Sequence, residues 1–278
     1  DVINSTGGGF QYSFPEVQPD YLSNASDVNG WSVVTDEVKI ASRDIFSNLS
    51  SFLDISFNET SNPNKVSVIA IMGNIQEDTT GYAYDPLDVI HPIVNYLFSD
   101  VFISIDYQNP ATQGNIRNFD HELLLHEIGH AIGLKHPFIN TTGDGTLLSV
   151  KEETNEWTAM SYTFLRNNFE PDYRILDKAA LVNLYGINPN FLSEDNVITF
   201  SPIKGQVIID GNGSDTISAV GQISHSYIDL RKNSHSYVGP KKEIITEPFQ
   251  LSVGDSIIEN AIGGGGDDWI IGNDQNNY

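Results

Sequence analysis

The segment Phe119-Asp120-His121-Glu122-Leu123-Leu124-Leu125-His126-Glu127-Ile128-Gly129-His130-Ala131-Ile132-Gly133-Leu134-Lys135-His136 decides how this chain is read. Its periodicity is helical, Asn118 or Asp120 can cap the start, and Gly133 is a natural stop. On such a helix His126 and His130 are four residues apart, so they stack on one face and can hold the same ion. Glu127 follows the first histidine directly and projects beside that face, placed to act as a base on a metal-bound water, the nucleophile, without being a ligand. Gly133 carries no side chain to penalise a left-handed turn, which lets His136 return as the third ligand. Three nitrogens leave a fourth position open, which suits chemistry better than a closed structural site. A bare His-Glu-x-x-His also arises on ordinary surface helices; the added Gly133 and His136 favour the zinc reading. Gly129 weakens a helix interior by about 0.5–1 kcal/mol relative to alanine, so its presence asks for close packing against a neighbouring segment.

Downstream, the uncharged segment Thr158-Ala159-Met160-Ser161-Tyr162 follows the acidic run Lys151-Glu152-Glu153-Thr154-Asn155-Glu156. A methionine is ordinarily a flexible core filler. Together with the three-histidine motif, however, this methionine-containing turn resembles that of the metzincin metallopeptidases, and Met160-Ser161-Tyr162 resembles the serralysin group of bacterial secreted proteases. The resemblance extends from Asn118 to Pro137, through Leu176 to Gly186, which is similar to the last helix of the catalytic domain, and to Ile258 through Gly264, which is similar to the entry into glycine-rich calcium-binding repeats. The interval from His136 to Met160 is shorter than the group leads one to expect.

The resemblance implies an α+β protein with a metzincin-like catalytic domain, a twisted sheet and a long active-site helix, followed by a mainly β calcium-binding roll or sandwich-like domain. It implies that Met160 forms an apolar floor beneath the metal. Tyr162 is implied both as a zinc ligand and, when displaced, as a donor to the oxyanion, a role a phenol can fill. The implied activity is that of a secreted zinc-dependent endopeptidase cutting internal bonds of extended peptides or proteins. An inhibitory propeptide or a protein inhibitor would be a further partner.

Asp210-Gly211-Asn212-Gly213-Ser214-Asp215-Thr216-Ile217 and Gly263-Gly264-Gly265-Gly266-Asp267-Asp268-Trp269-Ile270 share one register: glycines two apart, an aspartate two later, then an apolar residue. Glycines permit tight turns with exposed carbonyls, and aspartate supplies hard oxygen, so calcium fits better than a soft metal. The calcium candidates are Asp210, Gly211, Gly213 and Asp215 in the first turn, and Gly264, Gly266 and Asp268 in the second. Past Ile270 the pattern weakens: Asn273 and Gln275 occupy glycine positions and Asn277 an aspartate position. This reads as a partial roll whose calcium sites near the end are incomplete, as expected if the natural protein continues past Tyr278 or if this chain was clipped.

The 278 residues carry 37 acidic against 14 basic side chains, a formal charge of -23 that argues against a nucleic-acid partner and is suited to calcium. There is no cysteine, so no disulfide or thiolate site contributes. Neither a signal sequence nor an apolar run of membrane-spanning length is evident. The expected state is a monomer.

Strands are expected at Phe10–Phe14, Leu53–Phe57, Val66–Met72 and Val101–Ile105, with a helix capped by Thr35 that turns Val38, Ala41, Ile45, Phe46 and Leu49 to one side. Tyr82-Ala83-Tyr84, before Asp85-Pro86, reads as a short strand; by the resemblance it lies near an open sheet edge where substrate could pair, and equally it could be an ordinary packed strand. Short β-prone stretches dominate after Pro189, which puts the boundary near residue 190: a catalytic domain over 1–190 and a β domain over 191–278. His91, His121, His225 and His235 lack ligand spacing and are expected to be satisfied or solvated. The alternative reading is a calcium-stabilised surface or binding module whose zinc site is not proteolytic. A third is a zinc hydrolase of another amide, which would have a blind pocket.

Overall fold

A computed structural model describes residues 9–24, 30–63, 68–75, 79–83, 99–111, 117–139, 147–165 and 169–278. Val66, Ser67, Tyr84 with Asp85 and Pro86, and His91, each read above from sequence, lie outside these. The architecture is mixed α+β, and the chain divides into two compact units. One comprises Asp1–Ser50, Ile55–Leu148 and Glu153–Arg174; the other comprises Ser51–Asp54, Ser149–Glu152 and Ile175–Tyr278.

The first unit is built on strands β1 (Gly9–Ser13), β2 (Trp31–Ser32), β3 (Ser56–Glu59), β4 (Val68–Asn74), β5 (Gly81–Ala83) and β6 (Val101–Ser104). Their order is β3-β1-β4-β6-β5, with β2 pairing β4 from outside this path. The ladders β3-β1-β4-β6 are parallel, while β5 runs antiparallel to β6 at the edge, with Gly81 opposite Ile103. Every residue of β4 and β6 is buried, the pattern of strands covered on both faces.

Helix α1 (Asp36–Phe52) begins where the Thr35 hydroxyl accepts from the Val38 N–H at 3.4 Å. It buries Val38, Ala41, Ile45, Phe46 and Leu49, the side its spacing predicts. Phe46 stacks on Tyr12 at 4.3 Å and on Phe57 at 5.1 Å, which fixes the helix to β1 and β3. The strand expected at Leu53–Phe57 is corrected: α1 runs on to Phe52, Leu53 bridges Ile187, and β3 starts only at Ser56. Leu53 and Ile55 are buried like strand residues, so their apolar character looks the same in either setting.

Helix α2 (Phe119–Ala131) is capped by Asn118, whose Oδ1 accepts from the His121 N–H at 3.2 Å. Gly133, with φ +99°, ends it two residues past the last turn. Leu124, Leu125 and Ile128 are at most 1% exposed, so the helix that bears the histidines belongs to the core.

The longest segment of the second unit opens with α3 (Ile175–Tyr185), stopped by Gly186 at φ +78°. Strands β7 (Val197–Thr199), β8 (Gln206–Val207), β9 (Thr216–Ser218), β10 (Ser226–Asp229), β11 (His235–Val238), β12 (Gln250–Ser252), β13 (Asn260–Ile262) and β14 (Trp269–Ile271) follow. They form two sheets, β14-β10-β11-β12-β8 and β13-β9-β7. Ile217, Ile228, Leu251, Val253 and Ile258 make a dry centre. β9 pairs β13 and β10 pairs β14 in parallel. Of the two isoleucines that follow the glycine-rich stretches, Ile217 is fully buried; Ile270, on edge strand β14, is 46% exposed.

Candidate metal centre

Within the first unit, the spacing of α2 and the turn at Gly133 bring His126, His130 and His136 together. Their Nε2 atoms form a triangle with each edge 3.1 Å long. His126 Nδ1 lies 2.9 Å from the Ala159 carbonyl oxygen and His130 Nδ1 lies 2.9 Å from that of Leu134. A carbonyl can only accept, so each Nδ1 carries the proton and each Nε2 presents a lone pair to the triangle. Burial first, and then the neighbouring His130, pushes His126 down to about 3 and His136 to about 4, so both are neutral at ordinary pH. Converging lone pairs repel unless a cation sits among them. Bonds of about 2.0–2.1 Å to a tetrahedral zinc would set nitrogen separations of about 3.3 Å, close to the observed edges. The donor set therefore fits a divalent zinc ion with one position left over.

Glu127 is buried, and that burial pushes its carboxyl up to about 8. Strand β5 lies against it: a Cβ on Gly81 would stand 3.2 Å from both Cγ and Oε1 of Glu127 and 3.1 Å from the Phe102 carbonyl oxygen. Met160 is 2% exposed, and a Cβ on Gly129 would meet its sulfur at 2.7 Å, so the missing side chain of Gly129 makes room for Met160. The Tyr162 ring lies 4.8 Å from that of His136 and 5.4 Å from that of His126, and Phe138 packs on His136 at 5.1 Å. Desolvation first, then the Glu127 charge, raises the Tyr162 phenol above its ordinary range.

Sequence reasoning did not find the Ala159 and Leu134 carbonyls, because backbone acceptors leave no residue-type signal. It also gave no role to Glu122, Glu153, Asn155 or Arg174. Glu153 and Asn155 were visible as polar residues just ahead of the methionine turn, and that proximity was the available signal.

In the second unit, Asp210 and Asp215 are 4% and 1% exposed. Asn196 donates to both, through its N–H to Asp215 Oδ1 at 2.8 Å and through Nδ2 to Asp210 Oδ2 at 3.2 Å. Asp210 Oδ1 is buried with no hydrogen-bond partner among the described residues. Burial first, and then the Asp215 charge, pushes Asp210 up to about 6. Glu259 accepts from the Asp215 N–H at 2.8 Å, adding a third carboxylate the sequence reading missed. A Cβ at Gly211 would run into the carbonyl oxygens of Asn188 and Phe191, and one at Gly213 into that of Glu194, so the glycines admit backbone oxygens. Asp268 is differently engaged: Oδ2 accepts from the Gly264 N–H at 2.7 Å, and Oδ1 from the N–H and hydroxyl of Ser226 at 2.9 and 2.5 Å. Gly266 passes close to the Ser224 and His225 backbone. The remaining described histidines behave as expected where a partner is seen: His121 Nε2 pairs with the Pro171 carbonyl and His235 Nε2 with Gln250.

Among the described residues, no helix is long and apolar enough to cross a membrane. Residues 184–278 match the family described as Peptidase M10 serralysin C terminal. The chain is 26% identical to a serralysin of Proteus mirabilis over 99% of its own length and 58% of that protein's. It is 30% identical to serralysin G of Dickeya chrysanthemi over 60% of the chain and 38% of the relative, and 32% identical to serralysin C of the same organism over 56% and 38%. The chain thus spans about half the length of the curated relatives it matches. Similarity to serralysins and a clustered three-histidine site together point to a metzincin-like, zinc-binding protein.

Proposed function

We propose that this chain is the zinc endopeptidase part of a secreted bacterial serralysin-like protein, cutting internal bonds of extended peptides. The observation that carries the reading is the 3.1 Å triangle of His126, His130 and His136 nitrogens, with the buried carboxylate of Glu127 on the residue that follows the first of them. His126, His130 and His136 would hold the ion, and Tyr162 is the candidate for a fourth, displaceable ligand. Bound zinc supplies a Lewis acid that polarises the scissile carbonyl and makes water acidic enough to attack near neutral pH. Glu127 takes the proton from the attacking water and delivers it to the departing amine. Tyr162 donates a hydrogen bond to the negative oxygen developing on the carbonyl. Met160 supports the ligand helix at Gly129, and Gly133 turns the chain so that His136 can reach the cluster.

The substrate backbone would pair along edge strand β5, a mode that reads main chain and tolerates many sequences. Tyr82 stacks on Phe102 at 4.7 Å, which supports a packing role for that ring. We also propose that the functional division falls near residue 190. Asp210 and Asp215, with the carbonyls admitted by Gly211 and Gly213, would hold calcium, and Gly264, Gly266 and Asp268 a second ion. An inhibitory propeptide or protein inhibitor would occupy the same site.

The test is to incubate the zinc-loaded chain with an unstructured polypeptide and map new termini by mass spectrometry. Internal cleavage is expected, falling by about 10²-fold or more in Glu127→Gln with zinc content unchanged. Equal cleavage by the variant would remove Glu127 from the base role. No cleavage by a zinc-loaded wild type would favour a calcium-stabilised binding module with a non-proteolytic zinc site.

A further inference from the structure

Tyr162 is 60% exposed, yet its ring stays over two of the clustered histidines. Packing alone does not fix a ring with that much solvent around it, so its backbone has to be held. The residues on either side are held by one carboxylate. The Ser161 hydroxyl donates to Glu153 Oε1 at 2.6 Å, and the Thr163 hydroxyl lies 3.3 and 3.1 Å from Oε1 and Oε2 of the same side chain. The Thr163 N–H also donates to Ser161 Oγ at 2.9 Å, closing the turn around Tyr162.

A second clasp sits one turn deeper. The Asn155 N–H donates to the Thr163 carbonyl at 2.9 Å, and its Oδ1 accepts from the Leu165 N–H at 3.0 Å. The Asn155 carbonyl accepts from Arg174 Nε at 3.1 Å, and Arg174 Nη2 reaches Glu122 at 2.6 Å, four residues before His126 on α2. The segment before Met160 is therefore anchored to the ligand helix through Arg174, and the segment after it is tied back by Asn155 and Glu153.

We propose that Glu153 is a positioning residue for this site: by gripping Ser161 and Thr163 it holds the Tyr162 phenol beside His126 and His136. The proposal rests on the reading of His126, His130 and His136 as zinc ligands served by Tyr162. Glu153 touches none of the reacting atoms in this account and acts only through the tyrosine.

The experiment is histidine-labelled NMR of the zinc-loaded chain, because a ring current reports directly where Tyr162 sits. Tyr162→Ala defines the shift of the His126 and His136 ring protons when the phenol is gone. Glu153→Ala should move the same resonances at least about half of that distance, with one zinc retained and kcat lowered more than KM is changed. Glu153→Gln, which keeps one accepting oxygen, should fall between the two. Should Glu153→Ala melt without cooperativity, Thr163→Val, at an exposed position, is read in the same way. Histidine resonances that stay at wild-type positions in Glu153→Ala or, failing that, Thr163→Val, while Tyr162→Ala moves them, would overturn the proposal alone. If Tyr162→Ala itself leaves them unmoved, or zinc does not bind, the reading of the site fails and takes the proposal with it.

Discussion

Gly81 and Gly129 show how much of the site is set by side chains that are absent. A methyl group at position 81 would press on the Phe102 carbonyl, which cannot move far, and on Glu127, which can. Gly81→Ala is therefore expected to displace the Glu127 carboxylate by a few tenths of an ångström, lowering kcat by about tenfold while zinc content and melting temperature change little; steady-state kinetics beside metal analysis will show it. An unchanged kcat would mean that the carboxylate has slack against β5. At position 129 the sequence already asked for a close neighbour, and Met160 supplies it. The ligands His126, His130 and His136 were legible because a helix places i and i+4 on one face whatever surrounds it. The Ala159 and Leu134 carbonyls that set the histidine tautomers were not, since any residue type brings a carbonyl.

Helix α2 holds the site at both ends. Asn118 caps it, accepting from His121 and Ala111 and donating to the Asn109 carbonyl at 2.7 Å. Asn118→Ala should cost about 0.5–2 kcal/mol in urea unfolding of the metal-free chain, with the midpoint rather than the slope shifting. Further along, Glu122 and Arg174 have side chains only 3% and 2% exposed and meet at 2.6 Å. Removing one partner of a buried ion pair leaves a charge without compensation, so Glu122→Ala should destabilise by about 3–5 kcal/mol in the same assay. A loss below about 1 kcal/mol would put the anchor of the methionine turn elsewhere. Periodicity located α1, α2 and the buried strands because each has one dominant burial pattern, whereas α3 was expected from the family resemblance alone. It failed at Leu53–Phe57, where apolar residues at a helix-to-strand junction are buried in either conformation.

For the molecule as a whole, the excess of 37 acidic over 14 basic residues takes structural form in the second unit, where Asp210, Asp215 and Glu259 gather. Asp210 is raised from an ordinary 3.8 to about 6, so folding favours its protonated form. Its contribution to stability is then fully present below about pH 4 and is lost as pH rises through 6. By calorimetry in chelator, this unit should melt at lower temperature at pH 8 than at pH 5, and calcium at pH 8 should restore the difference. Asp210→Asn should flatten the pH dependence and shrink the calcium effect; a calcium effect of the same size in that variant would move the ion elsewhere. Composition made this acid load visible, but only the turn at Asn196 shows which carboxylates face each other, because Glu259 is distant in sequence. The central claim concerns the first unit, and anomalous X-ray scattering at the zinc edge from zinc-loaded crystals tests it most directly. The account predicts one peak at about 2.0–2.1 Å from Nε2 of His126, His130 and His136, with water or Tyr162 completing the shell. No peak among those nitrogens, or a carboxylate of the chain closing the fourth position, would contradict it.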